Sequence, residues 1–213
     1  MERERETPSW TARPNGRHDA SRAAAAGLRN RARPDGVDCE VVIVGAGFGG
    51  MGVAIQLQRM GVRSMLILER ASGLGGTWHH NRYPGVAVDV PSVTYCYSFE
   101  PNPFWSRTFA AGAEIERYAH HVADKYGLRR YMRFGVSVEQ VVYDERMQRW
   151  NIHADGRPTI TARILVLAIG YLSRPKYPNI PGLGDFRGKC MHSAAWDSGY
   201  DVAGRRVARR PHH

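Results

Sequence analysis

Three glycines and one acid of this chain have the spacing of a dinucleotide-binding site. Gly45, Gly47 and Gly50 form a G-x-G-x-x-G loop directly after an apolar run, and Glu69 ends a second apolar run. In such a loop, glycines permit a tight turn and let backbone N–H groups approach a pyrophosphate at a helix N-terminus, while the distal acid binds ribose hydroxyls. These residues therefore predict a bound dinucleotide. For Glu69 alone, a solvated acid at a strand end is the alternative.

The elements that must position these residues alternate along the chain. The apolar runs at residues 41–44 and 65–68 are typical of buried parallel strands, and Gly61 stands where the cap of an intervening helix belongs. The order strand, helix, strand predicts an α/β domain with a parallel sheet. The helix is predicted from apolar residues at helical spacing, namely Phe48, Met51, Ala54 and Ile55.

The second half of the chain predicts a further helix, a β-meander and a last buried strand. Residues 136–143, 150–153 and 159–161 are typical of short antiparallel strands joined by turns, which would cover one face of the parallel sheet. Residues 164–170 form a continuous apolar run ending in glycine, which predicts a strand buried on both faces. The helix, closed by Gly127, is predicted from the stripe Ile115, Tyr118, Ala119, Val122 and Tyr126.

Residues 71–111 carry several distinctive motifs. They contain glycine, proline and aromatic residues without a period, which predicts ordered loops around a ligand. The motifs are GGTW at 75–78, NRYPG at 81–85, DVPS at 89–92 and YCYSF at 95–99. Further along, the pattern F-x-G-x-x-x-H-x-x-x-W-D is formed by Phe186, Gly188, His192, Trp196 and Asp197. Together these segments resemble the flavin-binding half of the Baeyer–Villiger monooxygenases, relatives of the flavin-containing monooxygenases.

The resemblance implies an enzyme that binds FAD, is reduced by NADPH and uses O2, through a peroxyflavin, to convert a small-molecule ketone into an ester or lactone. The implied fold is α/β, a Rossmann-like FAD-binding domain of the two-dinucleotide-binding flavoprotein type, with helices on one face of the parallel sheet. The residues implied to hold the cofactors are Gly45, Gly47, Phe48, Gly50, Glu69, Gly76, Thr77, Trp78, Asp89, Tyr95 and Val138, the last through its backbone.

The resemblance implies specific roles for two polar residues. Asp89 matches the family acid beside the flavin and the nicotinamide and is the implied catalytic residue, although a turn or N-cap acid is the alternative. His192 lies in the family's linker between two nucleotide-binding domains, where a conformational coupler is implied rather than a general base. An ordinary core or linker histidine is the alternative for His192.

The chain departs from the family pattern at two places. Ile169 stands where the family carries threonine, so a hydrogen bond worth about 1 kcal/mol is lost. Residues 205–208 resemble the first strand of the NADP-binding domain, but no second glycine motif follows, so a truncated product is expected. The alternative is a non-catalytic FAD-binding fragment, or a subunit completed by a C-terminal polypeptide. The expected divisions are a disordered basic tail (1–36), the FAD-binding domain (37–172), the linker (173–204) and the start of the NADP-binding domain (205–213).

Composition and charge argue against several other classes of protein. The formal net charge of +10 over 213 residues is concentrated in arginines near both ends, without the aromatic platform of a nucleic-acid-binding surface. No run reaches the ~18 apolar residues of a membrane span and no signal peptide is recognised, so a cytoplasmic protein is expected. Cys39, Cys96 and Cys190 are odd in number and the histidines occur in adjacent pairs, so neither a disulfide nor a metal site is predicted.

Overall fold

The computed structural model describes residues 36–172 and 174–209. The expected N-terminal tail lies, up to residue 35, outside the described residues, as do residues 210–213. Within the described residues the chain forms three α-helices and six strands. In chain order these are β1 (Cys39–Val44), α1 (Phe48–Arg59), β2 (Met65–Glu69), α2 (Thr77–His80), α3 (Gly112–Lys125), β3 (Met132–Phe134), β4 (Val138–Asp144), β5 (Arg149–Ala154) and β6 (Ile160–Leu167).

The six described strands form one mixed sheet in the order β3-β2-β1-β6-β5-β4. Strands β3, β2, β1 and β6 run parallel, while β5 and β4 continue the sheet antiparallel. In the middle, Ile43 of β1 lies between Ile67 of β2 and Val166 of β6. Apolar runs suit this position because a central parallel strand is covered on both faces. The predicted α/β class with a parallel sheet is confirmed.

Alternating side chains give the parallel strands two apolar faces. Val41 and Ile43 lie on the face packed by α1 and α3, in a buried cluster that includes Tyr118. Val42 lies on the opposite face, in a cluster with Ile152 of the meander. Each fully buried aliphatic side chain contributes about 1.5–3 kcal/mol, so apolar burial holds both layers to the sheet. The predicted placement of the helices on one face is confirmed, whereas the meander continues the sheet itself and side chains such as Ile152 pack against the other face.

Two predictions about the last strand are wrong. Residues 159–161 and 164–170, predicted as separate strands, contribute to the single strand β6. Strand β6 pairs with β5 only over residues 160–162, whereas its pairing with β1 continues to Leu167. Ile164 and Leu167 are 49% and 57% exposed, so this strand is not buried on both faces. The reason is that, beyond the short pairing with β5, no described strand lies along its outer flank.

The smaller elements differ from expectation at two places. The predicted ordered loops at residues 71–111 contain the four-residue helix α2, which is too short to show a helical period in the sequence. Residues 205–208, expected to begin a strand, form none. Val207 is 64% exposed and pairs with no strand in the described part of the chain. The predicted helix closed by Gly127, which has a φ of +60°, is α3.

The described residues contain neither a membrane-spanning helix nor a cluster of metal ligands. None of their helices combines the length and the apolar composition that crossing a bilayer requires. They contain no group of three or more His, Cys, Asp or Glu side chains arranged to hold a metal ion. Cys39, Cys96 and Cys190 are free thiols, of which only Cys39 is buried.

Candidate dinucleotide-binding cleft

The loop between β1 and α1 requires glycine at two positions. Gly45 has a φ of +109°, and a Cβ added to it would lie 2.4 Å from the carbonyl oxygen of Ala168. A Cβ on Gly50 would lie 1.9 Å from the carbonyl oxygen of Gly45. Any side chain at either position would have to displace backbone atoms. The loop is therefore packed tightly between the ends of β1, β6 and α1.

Gly47, by contrast, borders open space. The nearest atom to a Cβ placed on Gly47 would be the Cα of Gly76, at an ordinary contact distance of 3.6 Å. Gly47 is also the N-cap of α1, and the N–H groups of Gly49 and Gly50 have no backbone acceptor among the described residues. Such N–H groups at a helix N-terminus attract anions. Of these two donors, the N–H of Gly49 belongs to the cleft wall that Gly47 and Gly76 also line.

Glu69 is joined to this loop by its carboxylate. The side chain lies at the carboxyl end of β2 and is only 6% exposed. One carboxylate oxygen accepts a hydrogen bond from the N–H of Ala46 at 2.8 Å, and the other accepts one from the N–H of Ala71 at 2.8 Å. Because it is buried and hydrogen-bonded, Glu69 is not a solvated strand-end acid. It links the end of β2 to the centre of the glycine loop.

A cleft of about 310 Å³ opens between the glycine loop, α2 and the end of β6. Residues predicted from the sequence supply much of its wall: Gly47, Phe48, Glu69, Gly76, Thr77, Trp78 and Tyr95. Gly45 and Gly50 lie behind the wall, where they shape the loop. Asp89 and Val138 are not part of the wall.

Several wall residues were not predicted from the sequence as site residues. Arg70 directly follows the acid Glu69, and His80 is the last residue of the short helix α2. Burial lowers the pKa of His80, which favours its neutral form. Ile169, recognised only as a departure from the family pattern, also lines the cleft. Adjacency to a motif was the available signal for Arg70 and His80. Ala194, which lies far along the chain, stands inside the fingerprint between His192 and Trp196, but nothing in that pattern indicated that it would reach this cleft.

Aromatic side chains form one side of the cleft. The Nε1–H of Trp78 donates a hydrogen bond to the hydroxyl of Tyr95 at 2.8 Å, and the two rings are nearly perpendicular with centroids 5.4 Å apart. Phe48 meets the Tyr95 ring edge-on at 5.6 Å. Burial raises the pKa of Tyr95, so its hydroxyl keeps its proton. A rigid aromatic wall with one hydroxyl suits a flat, partly polar ligand.

Asp89 lies outside the cleft wall but close enough to affect it. Its side chain is exposed, and its negative charge contributes to the raised pKa of Tyr95. The short 3-10 helix that follows, Ser92–Thr94, is capped by Pro91 and has no side-chain cap hydrogen bond. The alternative of an N-capping role for Asp89 therefore has no support in the described residues.

Val138 begins β4, beside the region where β2 ends. It pairs with Ala154 of β5 and packs in the cluster on the meander side of the sheet. Two residues earlier, the N–H of Val136 donates to the carbonyl oxygen of Glu69 at 3.0 Å. The segment that leads into β4 is thus attached to the end of β2, although Val138 itself does not reach the cleft wall.

The fingerprint segment between Phe186 and Asp197 returns to the cleft at one point. The Nδ1 atom of His192 accepts a hydrogen bond from the N–H of Ala194 at 3.1 Å and caps the 3-10 helix Ser193–Ala195. Ala194 lies in the cleft wall. Asp197 forms an exposed ion pair with Lys189 at 2.9 Å, which lowers the pKa of Asp197. His192 therefore shapes the segment that touches the cleft.

Comparison with known proteins decides the family. Residues 42–208 match the family described as pyridine nucleotide-disulphide oxidoreductase. The chain belongs to this family. Its relatives within this oxidoreductase family include a Baeyer–Villiger monooxygenase of Streptomyces coelicolor, 51% identical over 168 residues, and one of Pseudomonas aeruginosa, 43% identical over 170 residues. The resemblance to Baeyer–Villiger monooxygenases is confirmed.

Solved structures of monooxygenases agree with this resemblance. An oxidised steroid monooxygenase bound to NADP matches with a TM-score of 0.71 at 40% identity, over 78% of this chain and 33% of that protein. A cyclohexanone monooxygenase bound to ε-caprolactone matches with a TM-score of 0.74 at 36% identity, over 79% and 34%. The matches with the Streptomyces and Pseudomonas proteins cover 79% and 80% of this chain and 32% of each relative. The chain therefore spans about a third of the length of the curated relatives it matches.

Proposed function

We propose that this chain binds FAD in the cleft and supplies the flavin-binding part of an NADPH-dependent Baeyer–Villiger monooxygenase. The reaction oxidises a small-molecule ketone with O2 to an ester or lactone. The observation that carries the proposal is the placement of the buried Glu69 carboxylate and the first turn of α1 on either side of Ala46. This arrangement joins an acceptor for ribose hydroxyls to donors for a pyrophosphate.

The space beside Gly47 supports the proposal on steric grounds. A Cβ at this position would occupy the gap between the glycine loop and Gly76, where a pyrophosphate would need to approach the backbone. The N–H group of Gly49, a residue of the cleft wall, lacks a backbone acceptor among the described residues. A diphosphate would satisfy this donor, which is otherwise left to solvent.

The acid favours FAD over a nucleotide with a 2′-phosphate. Glu69 already accepts one backbone hydrogen bond on each oxygen, but every carboxylate oxygen has a second lone pair for a ribose hydroxyl. A 2′-phosphate would instead place two negative groups together, at a cost to binding. The adenosine end of FAD is therefore assigned to the side of the cleft at Glu69.

The aromatic wall suits the flavin ring. Trp78 and Tyr95 hold each other through a hydrogen bond and a perpendicular ring contact, so neither ring needs to be ordered when a ligand binds. When bound, FAD supplies the electron-transfer and oxygen chemistry. The chain's own residues bind and orient it, exclude water with Trp78, and keep a proton on the Tyr95 hydroxyl. Asp89 places a carboxylate near this wall for the reacting end.

A second candidate is an FAD-binding subunit whose turnover requires a complementing polypeptide. The outer flank of β6 from Ile164 onward supports it, because backbone N–H and C=O groups there have no strand partner on that flank among the described residues. Such an edge accepts a further strand. Ile164 and Leu167 are exposed beside it and would be covered by that strand's neighbours.

One titration separates the two candidates. The purified chain is incubated with FAD, freed of unbound flavin, and then mixed with NADPH without oxygen. Retained flavin absorbance that bleaches with NADPH supports the monooxygenase, and ester formation from a ketone in air completes the assignment. Retained flavin that does not bleach supports the subunit, and bleaching restored by the C-terminal part of a relative confirms it. A chain that retains no flavin under either condition contradicts both.

A further inference from the structure

Tyr97 connects the loop at residues 95–99 to the first turn of α1. Its hydroxyl donates a hydrogen bond of 2.5 Å to the carbonyl oxygen of Phe48, the first residue of the helix. The Tyr97 ring lies directly against the helix backbone, since a Cβ added to Gly52 would be 3.2 Å from its Cε1 atom. Burial raises the pKa of Tyr97, so this phenol remains a donor at every working pH.

The position of Tyr97 is itself fixed from the other side. Its backbone N–H donates to the hydroxyl of Tyr118 on α3 at 2.9 Å, and that hydroxyl donates onward to the carbonyl oxygen of Glu100 at 2.6 Å. Its ring stacks on Phe99 with centroids 4.9 Å apart and on Phe48 at 5.6 Å. The hydroxyl of Tyr97 cannot leave the carbonyl of Phe48 without breaking several of these contacts.

The peptide bond between Phe48 and Gly49 transmits this constraint to the cleft. A trans peptide is planar, and its C=O and N–H groups point in opposite directions. Holding the carbonyl oxygen of Phe48 therefore fixes the direction of the N–H of Gly49, which has no backbone acceptor among the described residues. A hydrogen bond to the carbonyl also polarises the amide and strengthens its N–H as a donor.

We infer that Tyr97 is a positioning residue that aims and strengthens the N–H of Gly49 for the pyrophosphate of a dinucleotide. Tyr97 acts through the helix backbone, because it lies outside the cleft wall and its hydroxyl bonds the carbonyl oxygen of Phe48. The role deepens the proposed function and rests on it, since the pyrophosphate is that of FAD. The hydroxyl of Tyr97 thus contributes to cofactor binding although it lies outside the cleft wall.

The test compares two variants that each lose one phenolic hydroxyl. Tyr97→Phe removes the hydrogen bond to Phe48 and keeps the ring stack. Tyr126→Phe is the matched control, because the Tyr126 hydroxyl donates to Glu100 at 3.1 Å and its ring contacts Phe99, while no hydrogen bond in the described part of the chain joins that hydroxyl to the first turn of α1. Dissociation constants for FAD and for ADP, which carries the same pyrophosphate, are measured well below the melting temperature of each variant. Amide hydrogen exchange at Gly49 is followed by NMR without ligand.

Tyr97→Phe is expected to weaken both ligands about five-fold, the size of one lost hydrogen bond, and to slow exchange at Gly49, because its N–H becomes less acidic when the Phe48 carbonyl loses that bond. Tyr126→Phe should leave both measurements unchanged even if it lowers the melting temperature equally. Parental affinity and exchange in Tyr97→Phe, or equal losses in the two variants, would overturn the inference. If the parent itself binds no FAD, the proposed function fails, whereas ADP binding and exchange at Gly49 still decide the role of Tyr97.

Discussion

The Nδ1 atom of His79 on α2 lies 2.9 Å from a carboxylate oxygen of Glu116 on α3. The same carboxylate oxygen accepts a hydrogen bond from Arg82 at 2.8 Å, and Arg82 also bonds the carbonyl oxygen of His79. A four-residue helix has little stability of its own, so α2 depends on such contacts. Because α2 carries Trp78, one carboxylate on α3 holds the aromatic wall of the cleft in place.

Replacement of Glu116 tests this attachment. Burial raises the pKa of Glu116, but the hydrogen bond from His79 and the charge of Arg82 outweigh it and lower the pKa below its usual 4.5. A carboxyl group with a lowered pKa in the folded state stabilises the protein at neutral pH, and this stabilisation is lost as the pH falls through the lowered value. Glu116→Gln should therefore cost about 1 kcal/mol at pH 7, measured by urea unfolding.

The pH dependence supplies the check on Glu116. The difference in unfolding free energy between the parent and Glu116→Gln should shrink as the pH is lowered below 4.5, because the parent carboxylate then becomes protonated. Asp124 also lies on α3 and forms an exposed ion pair with Arg129, which follows the end of that helix. Asp124→Asn is therefore the control and should change stability by less than about 0.5 kcal/mol. If the difference in unfolding free energy between the parent and Glu116→Gln were the same at all pH values, the charge of Glu116 would not be what attaches α2 to α3.

Replacement of Glu69 should separate its two contacts. Glu69→Ala removes both the acceptor for Ala46 and the proposed ribose acceptor, so FAD affinity should fall about ten-fold or more in equilibrium dialysis. Glu69→Gln keeps one acceptor oxygen and should retain more of the fold's stability than of the FAD affinity. If Glu69→Ala retains flavin as tightly as the parent, the ribose role is wrong.

Two neighbouring glycines of α1 should respond in opposite ways to a methyl group. Gly50→Ala would bring a Cβ to 1.9 Å from the carbonyl oxygen of Gly45, so the loop must shift, and a loss of roughly 3 kcal/mol or more is expected. Gly49→Ala meets only the Cβ of Ala168 at 3.9 Å and should leave the melting temperature equal or higher, because alanine favours helix. Thermal unfolding followed by circular dichroism measures both. Similar losses for the two variants would show that the loop is not tightly packed.

Asp89 is predicted to act on the reaction rather than on flavin retention. Its side chain is exposed and outside the cleft wall, so Asp89→Ala should leave the FAD dissociation constant within about two-fold, less than one hydrogen bond would change it. In a chain completed by the C-terminal part of a relative, the same change should slow flavin reduction by NADPH, measured by stopped-flow absorbance. Loss of flavin in proportion to loss of activity would support a structural role for Asp89.

The sequence predicted those parts of the fold and cleft that depend on neighbouring residues. Continuous apolar runs located β1 and β2, and apolar residues at helical spacing located α1. The spacing of Gly45, Gly47 and Gly50 located the turn between β1 and α1. The continuous strand β6 was missed because its partner changes from β5 to β1 along its length. The periodicity of a sequence does not show which strand a segment pairs with. The place of Ala194 in the cleft wall was missed because only tertiary folding brings it there.

Strand β6 runs without interruption from the meander to the glycine loop, where the N–H of Ala168 donates to Val44 at 2.9 Å and the Ala168 carbonyl lies against Gly45. Deleting a single residue within it would reverse the faces of every side chain on one side of the deletion. Insertions and deletions during evolution should therefore be excluded from β6 and gather in the exposed hairpin turn at residues 145–148. The number of residues between the meander and the cleft should therefore be the same in all proteins with this fold.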